Sequence, residues 1–203
     1  RVSYNRNVSS ADDGILYKLH IYKYSSDAYL VNLEGEHIDP DNEGSIIPAT
    51  LTPEFEKFKT LYSIVVESPV DKIDFTDIMP CDGATAKVTL PDGTVLQPSD
   101  LDAKADFVIK GDTEKTTIER EDLISVTKNG DSVIVTYKEN GNIVTKELAD
   151  GTDVTYRNEL RNVPLKTGIN TMTILVTSED GMAHRKYTVV IRRKVDDNAA
   201  KLK

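Results

Sequence analysis

Apolar and polar residues alternate with a period of two through most of this chain, and the spacing of three to four that a helix needs is nearly absent. Tyr17, Leu19 and Ile21 fall on one side of a strand, as do Tyr62, Ile64 and Val66. The same holds for Ala84, Ala86, Val88 and Leu90, for Met172, Ile174 and Val176, and for Tyr187, Val189 and Ile191. Side chains alternate across a strand, so each run offers one apolar face, and two sheets packed face to face bury such faces together. The pattern predicts an all-β sandwich.

The turns between the runs are legible too. Asn129-Gly130 and Asn140-Gly141 stand between alternating segments, and Asn-Gly tolerates the positive φ of tight hairpins. Residues Ile124 to Leu148 are therefore expected to form a three-stranded meander, and Asp92-Gly93 to join a further hairpin. Pro53 to Phe58 is expected to make a short helical turn. Polar stretches at 98–105 and 149–153 suggest borders, so 101–152 reads as a small extra β unit. It is either inserted into one sandwich or half of a second one.

A strand-turn-strand pattern occurs at both ends. Val8 to Ile21 reads VSSADDGILYKLHI and Val176 to Ile191 reads VTSEDGMAHRKYTVVI: a strand end, an acidic turn closed by Gly, then an alternating strand. Repetition of one unit is the mark of tandem modules. The opening copy either closes a sandwich with the residues after it, closes a preceding repeat, or pairs with another chain by strand addition.

Several of these segments share a signature. Leu51-Thr52-Pro53-Glu54-Phe55 followed by Leu61-Tyr62-Ser63-Ile64-Val65-Val66 resembles the opening of the bacterial cadherin-like β-sandwich family, and Gly83-Ala84-Thr85-Ala86-Lys87-Val88 resembles its next strand. The Gly168-Ile169-Asn170, Glu179-Asp180-Gly181 and Tyr187-Thr188-Val189 elements are similar to its close, in the family's order. The resemblance covers 46–96 and 163–192. It implies an immunoglobulin- or cadherin-like sandwich built from 28–100 plus 153–194, with 101–152 inserted, 1–27 closing a preceding repeat or the first sandwich, and 195–203 leading to a following segment. It also implies tandem modules beside carbohydrate-active or adhesive domains at a bacterial cell surface, so that the chain, beginning at Arg1, is read as cut from something longer.

Composition narrows the function. Thirty-four Asp and Glu against twenty-five Lys and Arg give a net charge of −9, the opposite of the basic patch that nucleic acid requires. No apolar run approaches the roughly 20 residues that span a bilayer as a helix. The single cysteine, Cys81, has no partner for a disulfide and no neighbouring His, and reads as a structural thiol. No nucleophile elbow, phosphate loop or dinucleotide fingerprint is present, so no enzyme and no cofactor is expected.

Two groups of residues are candidates for binding. Asp39-Pro40-Asp41-Asn42-Glu43-Gly44 places oxygen ligands at alternate positions, as a calcium loop begins, but Thr50 stands where the bidentate Glu belongs. Asp39, Asp41 and Glu43 are thus the candidate metal ligands, with a solvated acidic loop as the plainer reading. Tyr22, Tyr24 and His20 lie opposite the apolar face of the opening hairpin, where aromatic rings either stack on sugars or bury against an adjoining domain. The sequence thus points to a non-catalytic spacer or attachment module of a secreted or surface protein. Its partners would be neighbouring domains. The alternatives are a module binding glycan or host protein, and a strand-donating subunit.

Overall fold

The structure, a computed structural model, describes residues 4–8, 17–21, 24–42 and 44–195, with 4–8 and 17–21 described by their strand pairing alone. Strands make up 57% of the structure, and among the described residues the only helices are two single turns of 3-10 type at Pro98–Asp100 and Arg120–Asp122. The all-β expectation is met.

In chain order the strands are β1 (Tyr4–Val8), β2 (Tyr17–Ile21), β3 (Leu30–Ile38), β4 (Ile46–Pro48), β5 (Leu61–Val66), β6 (Lys72–Pro80), β7 (Thr85–Thr89) and β8 (Val95–Leu96). There follow β9 (Asp102–Phe107), β10 (Thr116–Glu119), β11 (Leu123–Asn129), β12 (Ser132–Glu139), β13 (Asn142–Glu147), β14 (Thr155–Pro164), β15 (Gly168–Thr177) and β16 (His184–Arg193). They form a six-stranded sheet in the order β10-β9-β14-β6-β3-β4 and a five-stranded sheet in the order β5-β16-β15-β7-β8. The meander β11-β12-β13 and the hairpin β1-β2 are sheets of their own. All pairings are antiparallel except that of β5 with β16, which is parallel.

The two large sheets enclose one core. The five-stranded sheet supplies Tyr62, Ile64, Val66, Ala86, Val88, Met172, Ile174, Val176, Tyr187, Val189 and Ile191, all 2% exposed or less, and strict alternation puts each on the inner face. The six-stranded sheet answers with Leu30, Leu33, Ile73, Phe75, Ile78, Leu160 and Val163. Its alternation is broken by register shifts in β3 and β14, where an extra residue re-aims the side chains that follow. At the second shift Asn162 takes φ 56°, and its N–H donates to Asp74 Oδ1 at 2.6 Å.

A smaller core lies under the meander, where Val133, Val135 and Tyr137 of β12 pack with Phe107 and Leu148. The Phe107 and Tyr137 rings meet edge to face at 5.3 Å. The meander appears where the Asn-Gly turns predicted it, with Gly130 and Gly141 at φ 65° and 80°. The strands before and after it, β10 and β14, belong to the six-stranded sheet, as does β9.

The helical turn expected at Pro53–Phe58 is reduced to a single hydrogen bond, from Lys59 N–H to Glu56 O at 2.9 Å. The Thr52–Pro53 peptide is cis, and Thr52 exchanges two backbone hydrogen bonds with Ser63. The backbone groups that a helical turn would close on itself go instead to core tyrosines. Glu56 N–H donates to Tyr62 Oη at 3.1 Å, and Lys57 O accepts from the Tyr187 hydroxyl. Tertiary partners outbid the local turn.

Candidate functional site

The most densely bonded feature outside the core is the place where the segment leading into β3 meets the turn between β15 and β16. Ser178-Glu179-Asp180-Gly181 closes that turn, with Gly181 at φ 72°, a conformation that suits Gly. Asp180 Oδ1 accepts from Ser178 Oγ at 2.6 Å and from Met182 N–H at 2.9 Å, which fixes the turn. Its other oxygen accepts from Ser26 Oγ. Ser25 N–H donates to Glu179 Oε2 at 3.1 Å, and Asp180 N–H donates to Ser25 O at 3.2 Å. The hydrogen bonds hold the Asp180 carboxyl down at about 2, because every one of them favours the charged form.

The clamp continues along the chain. Cys81 Sγ donates to Asp27 O at 3.3 Å, Arg185 Nε to Ala28 O at 3.0 Å, and Cys81 N–H to Tyr29 O at 2.9 Å. Tyr187 Oη then accepts from Leu30 N–H at 2.9 Å. Gly83 lets the turn sit this close, since a Cβ there would lie 2.9 Å from Glu179 Cδ. Backbone from Ser25 to Leu30 is thus tied at nearly every residue to β16, the closing turn and the loop after β6. Cys81 serves this clamp as a buried thiol.

The Gly-x-Asn element organises the opposite end of β15. Asn170 is 4% exposed. Its Oδ1 accepts from Lys166 N–H at 2.8 Å and its Nδ2 donates to Lys166 O at 2.7 Å, so one side chain closes the turn before the strand.

The outer face of the six-stranded sheet carries a lattice of charge. Arg157, with 10% of its side chain exposed, donates Nε to Asp106 Oδ2 at 2.7 Å and bonds Glu159 and Thr76 O through Nη1. Arg161 joins Glu159, Glu36 and Asp74, and Lys104 joins Asp102 and Glu119. Burial opposes ionisation of Asp106, yet hydrogen bonds from Arg157, Thr117 and Lys115 hold its carboxyl below the usual range. Asp77 is the exception. Burial pushes it up, and its Oδ1 is buried without a partner among the described residues.

The residues singled out by sequence fare unevenly. Tyr22 and Glu43 lie outside the described residues. His20 sits in β2 opposite Asn5, and Tyr24 is 55% exposed. Asp39 accepts from Asp41 N–H at 3.0 Å through Oδ1, which makes a turn of the acidic loop. That loop borders an open cleft of about 410 Å³ lined by Glu36, His37, Ile38, Ile46 and Asp71 among others. Among the described residues no group of three His, Cys, Asp or Glu side chains is arranged to hold a metal ion. The clamp residues Ser25, Ser26 and Arg185 were missed, although the acidic turn was visible as a repeat, because their partners are about 150 positions away.

Residues 112–194 match the family model of the cadherin-like β-sandwich domain. The match takes in the meander, β14 and the closing motifs on β15 and β16. The opening motifs at 51–88 lie outside it, although β5 and β7 share a sheet with β15 and β16. The resemblance stated from the sequence is thereby borne out. Domains of this type are structural or adhesive modules, generally non-catalytic and commonly extracellular. No curated protein and no solved structure matches the chain significantly. No helix among the described residues is long and apolar enough to cross a membrane.

Proposed function

We propose that the chain is a non-catalytic spacer and attachment module of a bacterial surface or secreted multidomain protein. In this reading 28–100 with 153–194 forms the sandwich, and 101–152 is an insertion that lends β9 and β10 to its six-stranded sheet. The observation that carries the reading is the clamp between Ser25–Leu30 and the Glu179-Asp180-Gly181 turn. A free tether has no use for six consecutive residues held by hydrogen bonds, whereas a module that sets the direction of its neighbour needs a stiff junction. The repeat of the acidic Asp12-Asp13-Gly14 motif supports modules joined in series.

The test measures distance between spin labels placed at Lys18 and Val65 in a Cys81→Ser background. A narrow distribution that broadens in the Ser26→Ala variant, which leaves the Asp180 turn closed on Ser178 and Met182 and the melting temperature nearly unchanged, is expected. A broad distribution in the Cys81→Ser background, where a serine hydroxyl can still donate to Asp27 O, overturns the spacer reading.

A further inference from the structure

Beside the clamp lies a patch of which the spacer role uses only Arg185 Nε. Phe58 is 58% exposed, and its ring meets that of Tyr29 edge to face at 5.5 Å. Lys57 Nζ stands 4.9 Å from the centre of each ring, and the Arg185 guanidinium stands 5.2 Å from that of Phe58. Tyr24, 55% exposed, comes five residues before Tyr29.

Three features mark the patch as built. Its loop is pinned from beneath by two core phenols: the Tyr187 hydroxyl donates to Lys57 O, and Tyr62 Oη accepts from Glu56 N–H. Phe55 stacks on Tyr62 at 5.7 Å and holds the loop from a second side. Lys57 and Arg185 make no ion pair with a carboxylate among the described residues, in a chain where acids outnumber bases by nine. Among the described residues Arg185 donates to protein only through Nε, at Ala28 O, so its two Nη groups form a fork oriented by that bond, the geometry that grips a carboxylate through two parallel hydrogen bonds.

We propose that Lys57, Phe58 and Arg185 bind a carboxylate-bearing sugar of an acidic polysaccharide. The carboxylate is gripped by the Arg185 fork with Lys57 as a second cation, and the apolar face of a ring packs against the exposed edge of Phe58. A dense polyanion such as nucleic acid fits poorly, because the molecule's −9 charge repels it. Isolated carboxylates on neutral rings suit two cations backed by aromatic surface. This role is separate from the spacer role and stands or falls without it.

The experiment titrates the full chain with an oligosaccharide in which single glucuronate residues alternate with neutral sugars, and with its carboxyl-reduced neutral form, by calorimetry at low ionic strength. Saturable binding of the uronate alone is expected. Lys57→Glu should abolish it, Phe58→Ala should weaken it at least tenfold, and Arg185→Lys, which keeps the charge and loses the fork, should weaken it too. Both loop side chains are exposed and the Lys57 carbonyl is untouched, so near-UV circular dichroism should show the fold intact in the first two variants. Lack of binding, binding indifferent to Lys57→Glu and Phe58→Ala, or equal binding of inorganic polyphosphate overturns the proposal. So does a Phe58→Ala variant that leaves uronate binding intact while broadening the Lys18 to Val65 distance, because the patch would then serve the preceding segment.

Discussion

The two sheets of the sandwich bury their inner faces alike and treat their outer faces in opposite ways. On the five-stranded sheet the outward positions of β5, β7, β15 and β16 are Thr, Ser, Val, Leu, Ile, His and three cations, Lys87, Lys186 and Arg192. None is a carboxylate. The six-stranded sheet gathers Glu36, Asp74, Asp102, Asp106, Glu119 and Glu159 around Arg157, Arg161 and Lys104. The first sheet keeps strict alternation from β5 to β16, so a slip of one residue would expose its whole apolar set. The second is interrupted by bulges, and its register rests in part on named ion pairs.

That difference can be broken from its strongest point downward. Arg157→Ala removes the cation that buried Asp106 and Glu159 share, leaving each one remaining partner, Lys115 and Arg161, and removing one partner of a buried pair costs about 3–5 kcal/mol. Denaturant unfolding should show a loss of that size. Ile174→Ala in the regular sheet should cost about 2–5 kcal/mol by cavity formation, with the loss insensitive to salt.

Asn170→Ala strips the turn before β15 of its closing side chain and should cost about 1–3 kcal/mol through unpaired backbone groups. Tyr187→Phe, which leaves Leu30 N–H and Lys57 O without their phenol, should cost about 1–2 kcal/mol. At the small end, Thr173→Ala on the outer face of the five-stranded sheet should stay within about 0.5 kcal/mol. A loss from Thr173→Ala as large as that from Arg157→Ala would erase the contrast between the faces.

Acid sharpens the comparison. Asp106 and Asp180 are held below the ordinary carboxylate range in the fold. Their contribution is complete above the unfolded value and is lost as pH falls through the folded one, near 2 for Asp180. Asp77 runs the other way, since burial raises it: the native state takes up a proton before the unfolded state does, so stability rises slightly as pH falls through its raised value. Unfolding free energy measured against pH should show that shallow rise and then a steep fall, and Asp77→Asn should remove the rise alone.

Legibility in the sequence follows the same division. The inner faces of β5, β7, β15 and β16 were read residue by residue, because an unbulged strand with one dry face writes its geometry as alternation. The meander was read from its Asn-Gly turns. Strands β3, β6, β9 and β14 were not read from periodicity. Bulges shift the phase, Asp106 and Glu159 put charge at buried positions, and Ala103 and Ala105 carry little apolar signal. Of the site, the acidic turn was visible as a repeat, but read only as a turn former.

By itself the sequence determined an all-β sandwich with a meander, the apolar face of its regular sheet, and a family signature in the closing strands. All of these are local, set by period, turn chemistry and short motifs. Only the tertiary structure decided which strands are neighbours, that Asp180 grips Ser26 across 154 positions, and that Lys57, Phe58 and Arg185 converge. Such pairings depend on how distant strands lie side by side, and no local spacing encodes that.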